Sequence, residues 1–363
     1  MQINNDRIAV SLDLEHDDLP VTIEDRVSGR TWGPAPLLQL DVYSCMDLRL
    51  KPAMVPEVRA HTRIEDGLHI ELFDRRDQIV LGVVLTLRDD RVVVRVPMSE
   101  WVEHDDGVFR LNTVQVLPGL MRVGGDGQML VPRSSGLMIS PKGKPQATDQ
   151  FLIYGEQSRW ELLPMMPIAS VGERGAGMAV LSTGVPEDVS VRVWADGADS
   201  GGVDGGMCLR QNWIDPVDQM DRELQFVPMS LEPDLLHATA GVLRRHAMED
   251  LHIEPLRDQA ERSEAVRYFF NALSIKMRFA VRNQGIGRAH PLAENHGEFL
   301  NCTTFAEGID VLRRMKAAGI ERLHTTGVGY LPNGHDGCYP SHVRFDERLG
   351  GRDGFIRMIE AGN

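Results

Sequence analysis

The chain has 363 residues, 42% of them hydrophobic and 25% charged, with a formal net charge of −14. That composition belongs to a globular protein with room for two or three cores. The acidic balance, with no Lys/Arg run, excludes nucleic acid as an expected partner. No stretch approaches the ~18 apolar residues of a membrane helix. MQINNDRIAV is no leader peptide, so if Met1 is the true start the expected compartment is the cytoplasm.

The first two-thirds predicts strands. In RIAVSLDLE, Ile8, Val10, Leu12 and Leu14 alternate with smaller or polar residues. Val83, Leu85 and Leu87 alternate before Asp89-Asp90, and Val92, Val94 and Val96 alternate after it, which is a hairpin signature. Val189, Val191 and Val193 repeat the pattern. Glycine and proline clusters punctuate the region, and the expected fold is a large antiparallel sandwich over 1–232. Gly124-Gly125-Asp126-Gly127 reads as a hairpin turn.

Residues 233–290 predict a helical linker. Leu236, Ala240, Leu243 and Ala247 recur at helical spacing from Leu235 to Glu249. A second helix is expected from about Ser263 to Ala280, with Val266, Phe269, Phe270, Leu273 and Met277 on one face. HIEPLRDQ between them reads as linker, because Pro255 disfavours helix just before it.

Residues 291–363 predict α/β structure. EFLNC is a candidate first strand. Thr304 and Glu307 form a capping box, Phe305, Ile309, Leu312 and Met315 follow on one face, and Gly319 fits the left-handed cap. A strand is expected over Glu321 to Gly327 and a helix from about Arg352 to Ala361, with Phe355, Ile356 and Ile359 inward and Gly362 as its cap. Helix, strand, long loop, helix is the rhythm of a parallel domain. A (β/α)₈ barrel needs roughly 250 residues, so the expectation is a chain that stops inside its second domain, with a small closed α/β cap as the competing reading.

Between that strand and helix lies TTGVGYLPNGHDGCYP (Thr325 to Pro340). A loop following a parallel strand lies at the face where barrel enzymes place their sites. His335 and Asp336 can hydrogen-bond neighbouring sugar hydroxyls, and Tyr330 can stack on a sugar face. Asn333 suits either a ligand contact or an Asn-Gly turn, and the turn is favoured. His324, inside the strand, is equally a packed core histidine or a site residue. Asn295, His296 and Glu298 can reach the same face, whereas Tyr339 and His342 read as loop packing.

Other chemistries find less support. His324, His335, Asp336, Cys338 and His342 fall close together but match no zinc spacing, and no metal or cofactor is expected. The four cysteines (Cys45, Cys208, Cys302, Cys338) include no CxxC pair. DGADSGGVDGG lacks the order of a calcium loop and reads as a hairpin tip. GxGxxG, GxxxxGK[ST] and GxSxG are absent, so nucleotide loops and a serine nucleophile elbow are unsupported.

Three blocks carry a family resemblance: GGDGQMLVPRSSGLMISP (Gly124 to Pro141), LPMMPIASVGERGAGMAVLSTG (Leu163 to Gly184), and the long block from Phe305 to Gly351 that contains the loop. Together they resemble the endo-α-N-acetylgalactosaminidase-like glycoside hydrolases and their exo-acting relatives. The resemblance implies a galactose-mutarotase-like β-supersandwich followed by a (β/α)₈ barrel. It also implies retaining hydrolysis of α-linked galactose-type sugars by an Asp nucleophile and a Glu acid/base roughly 5 Å apart. Two positions depart from the pattern: Tyr330 stands where relatives often carry Trp, and Ser134 where they often carry Asp. No part of this sequence matches the motifs of the catalytic carboxylates, which are expected beyond residue 363, so this chain alone is expected to be inactive. The rival class is a non-catalytic carbohydrate-binding or interaction module on the sandwich, and the coding sequence downstream of Asn363 discriminates the two. A mutarotase-like epimerase would need a catalytic His and Glu in the sandwich, and His16, His61, His69 and His104 sit in no supporting motif.

Overall fold

The computed structural model describes residues 1–363 apart from 45, 47–48, 53–55, 77, 104–107, 134–135, 155–165, 211–218, 283–298, 336–342 and 363. The chain divides into two compact units, Met1–Leu251 and His252–Asn363. No helix among the described residues is long and apolar enough to cross a membrane.

The first unit is a sandwich, as the alternation predicts. One sheet has nine strands, running in space from Leu137–Ile139 through Ile168–Glu173, Ala176–Ser182 and Arg222–Ser230 to Glu57–Ile64. The other has seven, ordered Ala147–Leu152, Val189–Ala195, Ser200–Cys208, Phe109–Val116, Leu38–Ser44 and Arg49–Pro52, with Arg122–Gly124 also paired to Ser200–Cys208. A smaller four-stranded sheet is built from the first 36 residues. Alternate side chains fill the space between the large sheets: Ile70, Val83, Val94 and Phe226 from one, Leu40, Val42, Val114, Val191 and Val203 from the other. The Asp89-Asp90 hairpin forms, with Arg88 opposite Arg91 and Asp89 at φ 43°. The glycine turn at 124–127 also forms, closed by Gly127 N–H to Gly124 O at 2.9 Å. It is not a hairpin, however. The strand before it joins the seven-stranded sheet and the strand after it the nine-stranded one, so the turn carries the chain across the sandwich.

Helix α1, Leu235–Arg245, is capped by Asp234 and continues as a π-helical turn over His246–Asp250. It covers the outer face of the nine-stranded sheet. Leu235, Thr239 and Val242 are buried, and Thr239 Oγ1 lies 2.7 Å from Ser170 Oγ. The expected face is therefore rotated: Leu236 is 51% exposed, because the Asp234 cap and the Thr239–Ser170 contact turn the neighbouring stripe to the sheet.

The second unit opens with α2, Leu256–Arg262, inside the stretch read as linker. Pro255 precedes its first residue, where a missing N–H costs nothing. Helix α3 spans only Glu264–Phe270, capped by Ser263. The long helix expected to Ala280 is thus corrected: Leu273–Arg278 is a strand, parallel to Leu323–Val328, with Leu273 opposite Leu323. Period-two packing of Ile275 and Met277 outweighs the helical spacing of Phe269, Leu273 and Met277. The candidate first strand is corrected too. Phe299–Asn301 pairs antiparallel with Ala280–Arg282 and lies outside the parallel pair.

Helix α4, Phe305–Ala317, carries both halves of the Thr304–Glu307 capping box. It ends at Gly319 (φ 87°) with Ile320 N–H bonded to Met315 O, a Schellman closure. Helix α5, Gly351–Gly362, buries Gly354 and Met358 and half-buries Phe355. Ile356 and Ile359, expected inward, are 37% and 48% exposed. Phe279, Phe305 and Phe355 form an edge-to-face chain between the helices and the parallel pair.

Candidate active-face loop

The loop after Leu323–Val328 is built on a close backbone approach. Gly329 has φ 78°, and a Cβ there would stand 2.1 Å from Ala280 O. Only glycine fits, so the loop lies flat against the end of the neighbouring strand. Leu331-Pro332-Asn333-Gly334 then forms a type II turn, with Gly334 N–H to Leu331 O at 2.9 Å and Asn333 at φ 69°. The favoured turn reading of Asn333 thus matches its backbone. His335 N–H donates to Ala280 O at 3.0 Å, and His335 bridges Val281. The ends of both parallel strands are held side by side.

Asp346 fastens this arrangement. It is 4% exposed, and its two oxygens accept from Asn333 N–H at 3.1 Å, Arg348 N–H and Nε at 2.9 Å each, and Arg348 Nη2 at 2.7 Å. Burial pushes its carboxyl up, but the Arg348 side chain and then the two backbone N–H groups outweigh that and hold it below the usual range. The Arg348 guanidinium lies 3.4 Å from the Phe299 ring centroid. Sequence reasoning missed Asp346, Arg348 and Phe299. The available signal was Asp346 followed two residues later by Arg348, with one leucine between it and a glycine pair.

The predicted residues do not all converge. Tyr330 packs its ring against Phe345 at 5.7 Å and Phe355 at 5.6 Å, within the apolar core of this unit. His324 is the second residue of its strand and touches Phe269 edge-on at 4.8 Å. Its Nδ1 lies 3.4 Å from Ser274 Oγ. Six residues of strand and turn put it roughly 20 Å from Tyr330 along the chain path. Asn333 and His335 sit together at the loop. Asp336, Cys338, Tyr339 and His342 lie outside the described residues, as do Asn295, His296 and Glu298. Beneath the loop, a cavity of about 280 Å³ is lined by Met277, Leu312, Thr325, Tyr330, Phe355 and Ile359, among others. Among the described residues no three His, Cys, Asp or Glu side chains converge on a metal position.

No family model matches this sequence, and no curated protein does. Solved structures do. The chain is similar to the alpha-N-acetylgalactosaminidase NagBb from Bifidobacterium bifidum in its Gal-NHAc-DNJ complex. The TM-score is 0.72 at 15% identity, over 99% of this chain and 56% of that one. The ligand-free form of the same enzyme gives 0.69 at 15%, over 99% and 57%. This chain thus spans little more than half the length of that enzyme. The three sequence blocks and the likeness of fold agree, and along nearly its whole length the chain is similar in fold to an alpha-N-acetylgalactosaminidase.

Proposed function

We propose that this chain supplies the supersandwich and the opening units of a (β/α)₈ barrel to a retaining glycoside hydrolase acting on α-linked galactose-type sugars. The observation that carries the reading is the fold likeness over 99% of the chain to an enzyme named for cleaving α-linked N-acetylgalactosamine. The parallel pair Leu273–Arg278 and Leu323–Val328, with α4 between them in sequence, is the repeating βαβ unit such a barrel uses. Barrel sites form at the loops that follow the strands. His335 and Asp336 are the proposed contacts to sugar hydroxyls, with Asn333 shaping the turn and Tyr330 backing the loop from its apolar side. His324, at the other end of its strand, has the weaker claim.

Hydrolysis with retention needs two carboxylates roughly 5 Å apart. We assign neither to these residues and propose that these 363 residues do not turn over substrate by themselves. The test uses p-nitrophenyl α-galactoside and p-nitrophenyl α-N-acetylgalactosaminide with this chain and with the full-length gene product. Turnover by the 363-residue chain would sink the division of labour. A folded full-length protein inert on both substrates would sink the activity.

A further inference from the structure

The first unit holds a cavity of about 550 Å³ that the barrel loop does not use. Three elements make it. The strand Arg222–Ser230 pairs with Arg91–Val96 only as far as Phe226, opposite Val92, because the Asp89-Asp90 hairpin turns there. On its other side the same strand stays paired to its end, with Ser230 opposite Ala176. Pro228, Met229 and Ser230 therefore keep one ladder partner among the described residues, and they line the cavity. Pro228 has no N–H to leave unpaired, which suits an open edge. Ile8 and Asp25, opposite each other in the four-stranded sheet, form the second wall, and Ala238 and Gly241 of α1 form the third.

Two features of these walls point to a ligand. Gly241 lies inside α1, where glycine is the least favourable residue after proline. A Cβ there would meet only Arg245 Nη1, at 4.0 Å. Packing does not demand glycine, and the missing side chain keeps the cavity open. The second feature is Asp25, which is 6% exposed. Its Oδ1 accepts from Val27 N–H and its Oδ2 from Ser28 Oγ, and no Lys, Arg or His among the described residues pairs with it. Buried carboxylates are normally matched by a cation, as Glu103 is by Arg210, Asp204 by Arg192 and Asp346 by Arg348. Two local donors leave about half of a carboxylate's acceptor sites open.

The charges around the cavity agree. Arg7 and Arg245 stand against Asp25, Asp90 and Glu232, an excess of one negative charge. Asp90 is already held by Arg91 at 3.1 Å and Arg245 at 3.3 Å. Ile8, Pro228 and Met229 supply an apolar wall. A carboxylate without a cation and an aliphatic wall suit an alkyl ammonium. They do not suit an anion, which Asp25 repels, or a purely apolar ligand, which leaves Asp25 buried and unmatched. We infer that this cavity binds a primary aliphatic amine, with its ammonium on Asp25 and its chain on Ile8, Pro228 and Met229. The inference is independent of the proposed hydrolase activity.

The chain is titrated by calorimetry with 1-aminohexane, 1-hexanol and hexanoate at about 0.15 M salt, which screens diffuse attraction to an acidic chain. The same titrations are run on Asp25→Asn, Gly241→Leu and Asp126→Asn. The parent is expected to bind the amine saturably and roughly tenfold or more tighter than the alcohol, the worth of a charge-assisted hydrogen bond. Asp25→Asn should remove that preference. Its amide oxygen can still accept from Val27 N–H, so the turn is kept. Gly241→Leu should abolish binding by filling the cavity. It raises helix propensity, and it decides the matter if Asp25→Asn fails to fold. Asp126→Asn removes the same charge from an exposed turn outside the cavity and should bind like the parent. The inference is overturned by a parent that binds no amine or binds hexanoate equally well. It is also overturned by parent-like binding in Asp25→Asn or in Gly241→Leu, or by equal losses in Asp25→Asn and Asp126→Asn. None of these outcomes alters the hydrolysis assays, so the two readings fail separately.

Discussion

Alanine at Gly329 and at Gly319 separates the cost of a left-handed backbone from the cost of a close approach. Both glycines have positive φ, 78° and 87°, so both substitutions carry the left-handed penalty of about 1–2 kcal/mol. They differ in surroundings. Nothing lies within 4 Å of a Cβ at 319, whereas at 329 it would meet Ala280 O at 2.1 Å, and ordinary contact begins at 3.4 Å. The strand ends must therefore part by about 1.3 Å, an overpacking cost of about 1–3 kcal/mol. The His335–Ala280 hydrogen bond, worth about 0.5–1.5 kcal/mol, is lost with it. Gly329→Ala is expected to cost roughly 3–5 kcal/mol and Gly319→Ala only about 1–2. Hydrogen exchange at the His335 and Phe279 amides reads the difference, because both N–H groups bond across the junction. A gap of about 2 kcal/mol is roughly thirtyfold in protection. Equal protection in the two variants would refute the close-approach reasoning.

Three further outcomes follow from side chains. Glu103→Ala removes the carboxylate that pairs with buried Arg210, whose Nη2 lies 2.6 Å away with side-chain exposures of 3% and 5% for Arg210 and Glu103. The expected loss is about 3–5 kcal/mol by urea unfolding followed through indole emission, with recovery in Glu103→Leu/Arg210→Met. Phe305→Ala removes a fully buried ring that meets Phe279 at 5.1 Å and Phe355 at 5.4 Å, and should cost about 3–5 kcal/mol. Asp346 has a depressed carboxyl, so its contribution is complete above the unfolded pKa of about 3.9 and is lost as pH falls through the lower folded value. Protection of the Asn333 amide should therefore collapse only in acid, and Asp346→Asn should be weaker at neutral pH with a flatter acid limb. An identical pH profile for the two proteins would remove Asp346 from the loop's support.

Local grammar was legible and long-range pairing was not. The alternation of Val92, Val94 and Val96 foretold strands because a sheet face is read from neighbours two apart. Thr304, Glu307 and Gly319 foretold both ends of α4 because caps are local. The span 263–278 misled because Leu273 and Met277 satisfy helical and strand spacing together, and their parallel partner lies fifty positions away. At the loop, Asn333 and Gly334 announced a turn, but nothing near them announced Asp346, thirteen residues on.

The separation between the two parallel strands also sets an order of assembly. Joining Leu273 to Leu323 closes a loop of about fifty residues, an entropic cost of about 3.5 kcal/mol before any contact is made. Helix α4 closes its capping box over three residues and needs no distant partner. The second unit should therefore cross its rate-limiting barrier with α4 largely formed and the strand pair still apart. Substitutions at Thr304 would then slow folding, while those at Thr325 would chiefly speed unfolding. Equal φ-values at the two positions would contradict that order.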